Sequence, residues 1–424
     1  MRIDHLKIEN FNGFDRREFD FNPAFNLLVG DNASGKTSVL DALSVAVGSW
    51  FIGLRGYAVP PGITPEEVHT VAYPHQDIYT FEKQFPSRIE ARGLVMEKEL
   101  AWTRELSREG GRTRSPNVKG ISDAASEAER RVRAGEDITL PLICTYGTER
   151  LWFEASHRKR TKENGSKPIL PSRLDGYRDC FDFTIQESSL LAWIRAEVSA
   201  GQERREETIT YRVARDAIIR CVEGAESLYY DDRYKDLVVS FKQFGHQLFK
   251  NLSDGQRIVL TLVGDLVRRA TALNPNLADH VLRKTPGVVL IDELDLHLHP
   301  TWQRRIIRDL KTTFPSIQFI ATTHSPQLIG EAQPEEVIRL GGDEPTSPAQ
   351  SFGMDSNWIL KNVMGADERD SGVKVKLQEV EQLINDMKLQ TAQTKVDELR
   401  SEIGNHPDLV RFSARIDRFA GKVP

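Results

Sequence analysis

One eight-residue stretch constrains the fold of this chain more than any other: Gly-Asp-Asn-Ala-Ser-Gly-Lys-Thr at 30–37. It follows a short apolar run at 25–29, which is typical of a buried central strand, and it precedes a helical pattern from Thr37 to Val47. Glycines let the backbone curl so that successive N–H groups point at phosphate oxygens, beside the positive end of the following helix. The order strand, loop, helix therefore predicts a phosphate-binding loop in an α/β domain.

Two side chains of this loop carry the chemistry of phosphate binding. The ammonium group of Lys36 neutralises the β- and γ-phosphates, and the hydroxyl of Thr37 ligates Mg²⁺. ATP and Mg²⁺ are therefore the expected ligands. The residues of the loop that are predicted to bind the nucleotide are Gly30, Asp31, Asn32, Ala33, Ser34, Gly35, Lys36, Thr37 and Ser38.

A second apolar run, from Val288 to Ile291, ends in two acids. A buried strand here delivers Asp292 to the metal, and Glu293 is placed to polarise the attacking water. Two acids after a strand are often only a solvated strand end. With a phosphate-binding loop in the same chain the catalytic interpretation is favoured, because phosphoryl transfer needs a metal ligand and a group that orients the nucleophile.

The sequence Leu-Ser-Asp-Gly-Gln at 252–256 resembles the signature of ABC ATPases, which is usually Leu-Ser-Gly-Gly-Gln. The resemblance implies that Ser253, Gly255 and Gln256, at a helix N-terminus, bind the γ-phosphate held by a second subunit. Two chains would then enclose two nucleotides. The departure is Asp254, because an acid so close to a phosphate disfavours tight binding unless it points away.

Two further residues follow from the same resemblance. His324, after a predicted strand that ends at Thr322, is similar to the switch histidine that senses the γ-phosphate. Its place after the loop, the signature and the acids supports that role over a structural one. The glutamine that couples nucleotide to movement is either Gln76 or Gln84. Gln76 is preferred, as a metal ligand.

The stretch Asp-Glu-Leu-Asp-Leu-His-Leu-His-Pro at 292–300 resembles the corresponding stretch of RecF-, SMC- and OLD-like ATPases. Transporter ATPases normally carry a proline after the glutamate, and an aspartate where His299 lies. The long insertion between Thr37 and Leu252 also separates this chain from transporter subunits. In SMC proteins such an insertion holds a coiled coil. Since no sustained heptads occur here, a compact lid is expected.

Three stretches, at 142–152, 172–177 and 351–358, resemble the PtuA-like ATPases of Septu and some retron anti-phage systems. That resemblance implies an HNH-nuclease partner, similar to PtuB, which the ATPase holds or gates. The residues after His324 contain no cluster of acids suited to two metals, so DNA cleavage by this chain itself is not expected.

The predicted fold is α/β: an ABC-type P-loop ATPase head with a mixed central sheet and an antiparallel β subdomain. The head is assigned to 1–50, 80–150 and 240–345, a helical lid to 150–240, and helices for partner or self-association to 346–424. A break at Gly404 and Pro407 divides the last helices. Their apolar stripes, which include Val373 to Met387, are either core packing or a docking platform.

Composition limits the remaining possibilities. The net charge is −5, so a wholly basic DNA-binding surface is not expected, whereas a local basic groove stays open. A basic run at Arg158, Lys159, Arg160 and Lys162, joined by Arg130, Arg131 and Arg133, leaves direct DNA contact open. Three separated cysteines, the absence of a signal peptide and the lack of a long apolar run predict a cytoplasmic protein without a membrane span.

Three hypotheses follow. The favoured one is a slowly hydrolysing ATPase subunit of an anti-phage complex, a homo-oligomer of head-to-tail dimers whose ATP-dependent closure controls an HNH nuclease. DNA, or a retron reverse transcriptase with its DNA product (msDNA), are further candidate partners. The alternative is a RecF/SMC-like repair ATPase that acts directly on DNA. The third is a scaffold in which ATP is only structural.

Overall fold

The computed structural model describes residues 1–54, 56–76, 78–148, 172–182, 187–342, 344–367 and 369–421. They form two compact units, Met1–Ile359 and Leu360–Pro424. In the described residues, no helix is long and apolar enough to cross a membrane.

The strands are numbered along the chain: β1 Arg2–Phe11, β2 Phe14–Asp20, β3 Phe25–Val29, β4 Thr70–His75, β5 Ile78–Lys83, β6 Ser87–Val95, β7 Lys98–Leu106, β8 Leu142–Tyr146, β9 Ala225–Asp231, β10 Asp236–Phe241, β11 Gly245–Leu248, β12 Gly287–Ile291, β13 Ile317–Thr322 and β14 Val337–Arg339. The helices are α1 Lys36–Val47, α2 Lys119–Arg133, α3 Glu187–Arg204, α4 Ile209–Cys221, α5 Asp254–Leu273, α6 Val281–Lys284, α7 Pro300–Thr313, α8 Pro326–Ile329, α9 Ser356–Asn362, α10 Ser371–Asn385, α11 Leu389–Ile403 and α12 Pro407–Phe419.

A five-stranded parallel sheet is the centre of the first unit. Its order is β14-β3-β13-β12-β8, and every residue of β3, β8, β12 and β13 is buried. Strands covered on both faces read as continuous apolar runs, which is why the sequence predicted them. Because all five strands run in the same direction, their carboxyl ends meet at one edge of the sheet.

The antiparallel β subdomain is a four-stranded sheet of order β2-β1-β6-β7. Residues of β6 alternate between buried and more exposed positions, as in a sheet with one face on the core and the other toward solvent. On the buried face the indole of Trp102 donates a hydrogen bond to the carbonyl of Ala46 in α1, at 2.9 Å. This sheet therefore packs on the helix that follows the phosphate-binding loop. The predicted α/β fold class with an antiparallel β subdomain is confirmed, but the central sheet is parallel in the described residues rather than mixed.

The stretch predicted to be a helical lid, 150–240, is only partly helical in its described residues. It contains α3 and α4, but β9 and β10 also fall in it and form a three-stranded antiparallel sheet with β11. Leu237, Val239 and Phe241 are buried along one face of this sheet. Asp236 and Val238 are buried as well, so β10 is a short, almost fully buried strand, which the sequence interpretation overlooked. Strand β8 begins at Leu142, directly after Pro141, which has no N–H to donate to a neighbouring strand.

The last part of the chain holds three described helices, α10 to α12, where a single break had been predicted. The additional break follows α10, where Met387 has a φ of 57° and is 60% exposed, so it is not part of the apolar stripe. The separate unit begins at Leu360 rather than at 346. Its core consists of Leu377, Val380, Ile384, Ala392, Val396, Leu399, Leu409, Phe412 and Ile416, so the stripes are core packing.

Candidate functional site

The loop from Gly30 to Lys36 joins the carboxyl end of β3 to the first turn of α1. Two of its positions require glycine. A Cβ at Gly35, whose φ is 91°, would lie 2.3 Å from Cζ of Phe14, and a Cβ at Gly30 would lie 2.6 Å from the carbonyl oxygen of Leu340. The backbone is thus held in the tight curl that brings amide groups and the helix N-terminus toward one point.

Lys36 is folded back over this loop. Its Nζ donates to the carbonyls of Gly30 at 2.8 Å and Asp31 at 2.9 Å, and burial lowers the pKa of the ammonium group. The Ser34 hydroxyl is buried and has no hydrogen-bond partner in the described structure. In the described structure backbone carbonyls hold this ammonium group, and with the unsatisfied hydroxyl in the same loop it fits a phosphate group of ATP.

The two acids after β12 are tied to the loop and to the neighbouring strand. Thr37 Oγ1 lies 3.4 Å from Asp292 Oδ2, and Thr322 Oγ1 donates to Asp292 Oδ1 at 2.6 Å. The same threonine oxygen accepts the N–H of Glu293 at 2.7 Å. Thr37 and Asp292 are oxygen ligands of the kind that Mg²⁺ takes from proteins, alongside water and substrate phosphates. Sequence reasoning missed Thr322, which links both acids.

Glu293 has an unusual backbone conformation. Its φ is 48°, in the left-handed region that non-glycine residues rarely adopt. The turn is held by Leu296, whose N–H donates to the carbonyl of Glu293 at 2.9 Å, and by Leu294, whose N–H donates to the carbonyl of Thr322 at 2.9 Å. Backbone strain of this kind is concentrated at functional sites, where the surroundings fix an unfavourable geometry.

His324 lies beyond the carboxyl end of β13, which is flanked by β3 and β12, and its side chain is exposed. Its backbone N–H donates to Asp295 Oδ1 at 3.4 Å, and the Thr323 hydroxyl donates to the same oxygen at 2.5 Å. Asp295, which sequence reasoning also missed as a site residue, therefore joins the loop of the acids to the loop of the histidine.

The signature residues lie at the N-terminus of α5. Ser253 caps the helix in a capping box with Gln256, whose Oε1 accepts from the Ser253 N–H at 3.0 Å and from its hydroxyl at 3.1 Å. A Cβ at Gly255 would lie 2.9 Å from the carbonyl of His297. The Asp254 side chain is 68% exposed and lies 4.0 Å from Arg257.

The signature and the phosphate-binding loop are not brought together within one chain. Among the described residues, no hydrogen bond or ion pair joins Ser253, Gly255 or Gln256 to 30–37. The role of these three residues in binding nucleotide stays a prediction, and it requires a second copy of the chain.

The structure does not place the predicted glutamine beside Thr37 and Asp292, the predicted metal ligands. Gln76 is exposed in the turn between β4 and β5, with a φ of 51°. Each strand of this hairpin has six residues and so spans about 20 Å. Gln84, at the other end of the hairpin, donates its side-chain amide to the carbonyl of Glu82 at 2.9 Å. No described contact joins either glutamine to Thr37 or Asp292.

The carboxyl end of β8 is the neighbour that sequence reasoning missed. The N–H of Asp292 donates to the carbonyl of Tyr146 at 2.8 Å. The residues that directly follow β8 thus lie beside the acids. The signal was available in the apolar run before Tyr146, but the position of β8 next to β12 in the sheet could not be inferred from it.

The predicted DNA contacts divide into two groups. Arg158, Lys159, Arg160 and Lys162 lie outside the described residues. The three arginines of α2 each pair with an acid, at 2.6 to 2.7 Å: Arg130 with Glu127, Arg131 with Glu136 and Arg133 with Glu129. Paired and largely exposed arginines give little support to a DNA surface.

This chain matches one family model over most of its length and is similar to proteins of retron and Septu systems. The family model described as AAA domain, putative AbiEii toxin, Type IV TA system matches residues 25–330. The retron Ec83 probable ATPase of Escherichia coli is 25% identical over 87% of this chain and 77% of its own length. The Septu protein PtuA of Bacillus thuringiensis is also 25% identical, over 87% of this chain and 85% of its own. The predicted resemblance to Septu and retron ATPases is thereby confirmed.

Among solved structures, the SMC head domain from Thermotoga maritima aligns with a TM-score of 0.45 and 14% identity. The alignment covers 80% of this chain and 94% of that one.

Proposed function

This chain belongs to the family described as AAA domain, putative AbiEii toxin, Type IV TA system, and we propose that it is the ATP-hydrolysing subunit of an anti-phage defence complex. One observation carries the catalytic part of the proposal. Thr37, Asp292, Thr322 and Glu293 form a continuous hydrogen-bonded set at the edge of the sheet where the phosphate-binding loop begins.

Each residue of this set would have a separate role in phosphoryl transfer. Thr37 and Asp292 would hold Mg²⁺, which neutralises charge on the phosphates, and Lys36 would contact the β- and γ-phosphates. Glu293 would orient the attacking water and accept its proton, and the exposed imidazole of His324 would contact the γ-phosphate. The strained turn at Glu293 fixes this carboxylate relative to Asp292, so little reorganisation is needed during the reaction.

The second part of the proposal is a closed dimer. The Ser253 end of α5 is exposed, and within one chain it makes no described contact with the phosphate-binding loop. A head-to-tail pair would bring Ser253 of one copy to the γ-phosphate bound by Lys36 of the other. The negative charge of Asp254 would weaken binding of the γ-phosphate by this helix end. Weak binding agrees with slow turnover in a subunit that acts as a switch.

The third part is the partner. The two relatives named above are a retron ATPase and a Septu protein, which supports a role in a defence complex. We propose that the closed dimer restrains an HNH nuclease and that a change of nucleotide state releases it. A retron reverse transcriptase with its DNA product is a further candidate member. The cytoplasmic location expected from the sequence stays a prediction.

The experiment is a tagged purification from the native host, with mass spectrometry and nucleic-acid extraction of the eluate. A Lys36→Ala variant is the matched control, because it removes the phosphate contact while leaving the surface intact. We expect a small HNH nuclease in stoichiometric amount with the wild-type chain. An eluate that contains this chain alone, or this chain with host DNA, would contradict the defence assignment and favour a RecF-like repair ATPase.

A further inference from the structure

The hairpin of β4 and β5 carries four of the large apolar side chains that are exposed in the described chain. It is a sheet of two strands only, paired from Thr70 with Lys83 to His75 with Ile78. Its large apolar side chains remain open to solvent: Tyr73 is 44% exposed, Ile78 65%, Tyr79 66% and Phe81 69%.

Both faces of the hairpin carry exposed apolar side chains. The pairing register places Phe81 opposite Ala72 and Tyr79 opposite Pro74 on one face, whereas Tyr73 and Ile78 lie on the other. An isolated two-stranded hairpin is only marginally stable in water. Contiguous exposed apolar surface, unlike scattered single residues, marks a site of interaction. The hairpin therefore resembles an arm whose apolar side chains are buried against a partner in a larger assembly.

The base of the hairpin is attached beside the phosphate-binding loop. The N–H of His69 donates to the carbonyl of Asn10 at 3.1 Å, and the His69 ring contacts the carbonyl of Asn12 at 2.8 Å. Asn12 lies in the turn that leads into Phe14, whose ring fills the space where Gly35 would carry a Cβ. The arm thus starts at the edge of the protein that holds the nucleotide loop.

Charge decides which class of partner fits. The described charged residues of the two strands are Glu82 and Lys83, next to the base, and Lys83 lies 3.4 Å from Glu109. The exposed part of the arm carries aromatic and aliphatic side chains without a line of cations. A nucleic acid needs cations along its phosphates, so the surface fits an apolar protein surface instead.

Size decides whether the arm forms an interface by itself. An aromatic side chain buries about 150–250 Å² when fully covered, so these partly exposed side chains offer roughly 500 Å². A stable interface needs about 800 Å² from each partner. The arm is therefore an extension of a larger contact. The candidate for that contact is the ATP-dependent pairing of two copies, since the arm is attached at the nucleotide edge.

We propose that the β4–β5 hairpin is an arm that packs on a second copy of this chain when two copies close on ATP. The inference rests on the proposed function, because it takes the closed dimer as its setting. In that dimer each copy contributes one arm, as the two-fold symmetry of a homodimer requires.

Photo-cross-linking tests the contact directly. Benzoyl-phenylalanine replaces Tyr79 in the Glu293→Gln chain, and the matched control replaces Tyr234, which is 62% exposed in the turn between β9 and β10. With ATP and Mg²⁺ we expect a covalent dimer from position 79 and none from position 234, and no dimer from either position without ATP. Cross-linking of position 79 to ATP itself would overturn the inference.

A pair of substitutions measures the contribution of the arm. Tyr79→Lys together with Phe81→Lys, both on one face, should raise the concentration for half-maximal dimerisation of the Glu293→Gln chain at least tenfold. Tyr234→Lys should not change it, and ATP affinity of the single chain should stay the same in both.

These measurements test the dimer and the arm separately. If the Glu293→Gln chain does not dimerise with ATP at all, the proposed function is wrong at its dimer. If it dimerises and the lysine pair has no effect, the inference about the arm is wrong while the dimer stands. Weaker ATP binding by the lysine variant would likewise overturn it, because the arm would then contact nucleotide.

Discussion

Thr322 connects the two acids of the site through a single hydroxyl group. It donates to Asp292 and accepts the N–H of Glu293, and it is 1% exposed. A hydroxyl that both donates and accepts fixes the relative position of the two acids, which no apolar residue of similar shape could do. The sequence shows Thr322 only as the end of a strand, because its role arises from the placement of β13 beside β12.

Replacing Thr322 by valine should therefore slow ATP hydrolysis without unfolding the chain. Loss of a hydrogen bond to a charged group costs about 1.5–3 kcal/mol, so we expect kcat to fall about 10- to 100-fold. The KM for ATP should change little, since the phosphate loop is untouched. Steady-state ATPase assays check this, with Thr322→Ser as the control that keeps the hydroxyl. A valine variant with wild-type kcat would contradict the role.

Asp295 should act through His324 as a positioning residue. Asp295→Ala removes the acceptor of the His324 N–H and of the Thr323 hydroxyl, so we expect kcat to fall about tenfold, the effect of about 1.4 kcal/mol. Asp295→Asn retains an acceptor oxygen and should lose less. A double-mutant cycle with His324→Ala is the decisive readout, because residues in one network are not additive. Full additivity of the two losses would show that Asp295 does not act through the histidine.

At the scale of elements, the sequence predicted those strands and helix ends that depend on a local pattern of residues. The buried strands β3, β12 and β13 follow from short apolar runs, and the cap at Ser253 follows from capping chemistry. Both signals lie in consecutive residues. The β9–β10 sheet was missed because the short apolar run of β10 cannot be distinguished from a buried helix segment by its periodicity. The exposure of the β4–β5 hairpin could not be predicted, because the same residues would suit a buried strand.

A buried ionic cluster holds β8 against α5. The carboxylate of Asp265 accepts from the hydroxyl of Tyr146 at 2.8 Å, from Arg269 at 2.7 Å and from Arg268 at 2.5 Å. Burial alone would raise the pKa of Asp265, but the guanidinium groups of Arg269 and Arg268 outweigh it and hold the pKa well below its usual range. The ionised carboxylate is thus the form that the fold stabilises.

Asp265→Asn should destabilise the chain by about 3 kcal/mol at pH 7, because it leaves the buried Arg269 and the partly buried Arg268 without their counter-charge. The folded-state pKa lies below the unfolded value of about 3.9. The stabilisation is therefore complete well above pH 4 and is lost as the pH falls below it. Urea unfolding at pH 7 and at pH 3 should show the difference from wild type shrinking. The exposed pair partner Glu127, changed to Gln, should show no measurable difference at either pH.

At the scale of the whole molecule, the predicted site residues of one chain lie in two separate places. The loop 30–37, the acids and His324 gather at the carboxyl edge of the central sheet, whereas Ser253 lies on a separate exposed helix end. The sequence could predict each motif, and their order along the chain suggested the family. The arrangement of two copies was predicted only through the resemblance, since no local pattern encodes it. This arrangement is the central claim of the account.

The mass of the Glu293→Gln chain in solution tests that claim most directly. Multi-angle light scattering is recorded with ATP and Mg²⁺ and with ADP and Mg²⁺, and Glu293→Gln combined with Ser253→Arg serves as the control. We expect the mass to double with ATP alone, because slow hydrolysis preserves the closed pair, and the control to stay at its ADP mass. Equal masses with ATP and ADP, or doubling that persists in the Ser253→Arg control, would contradict a dimer closed across the signature.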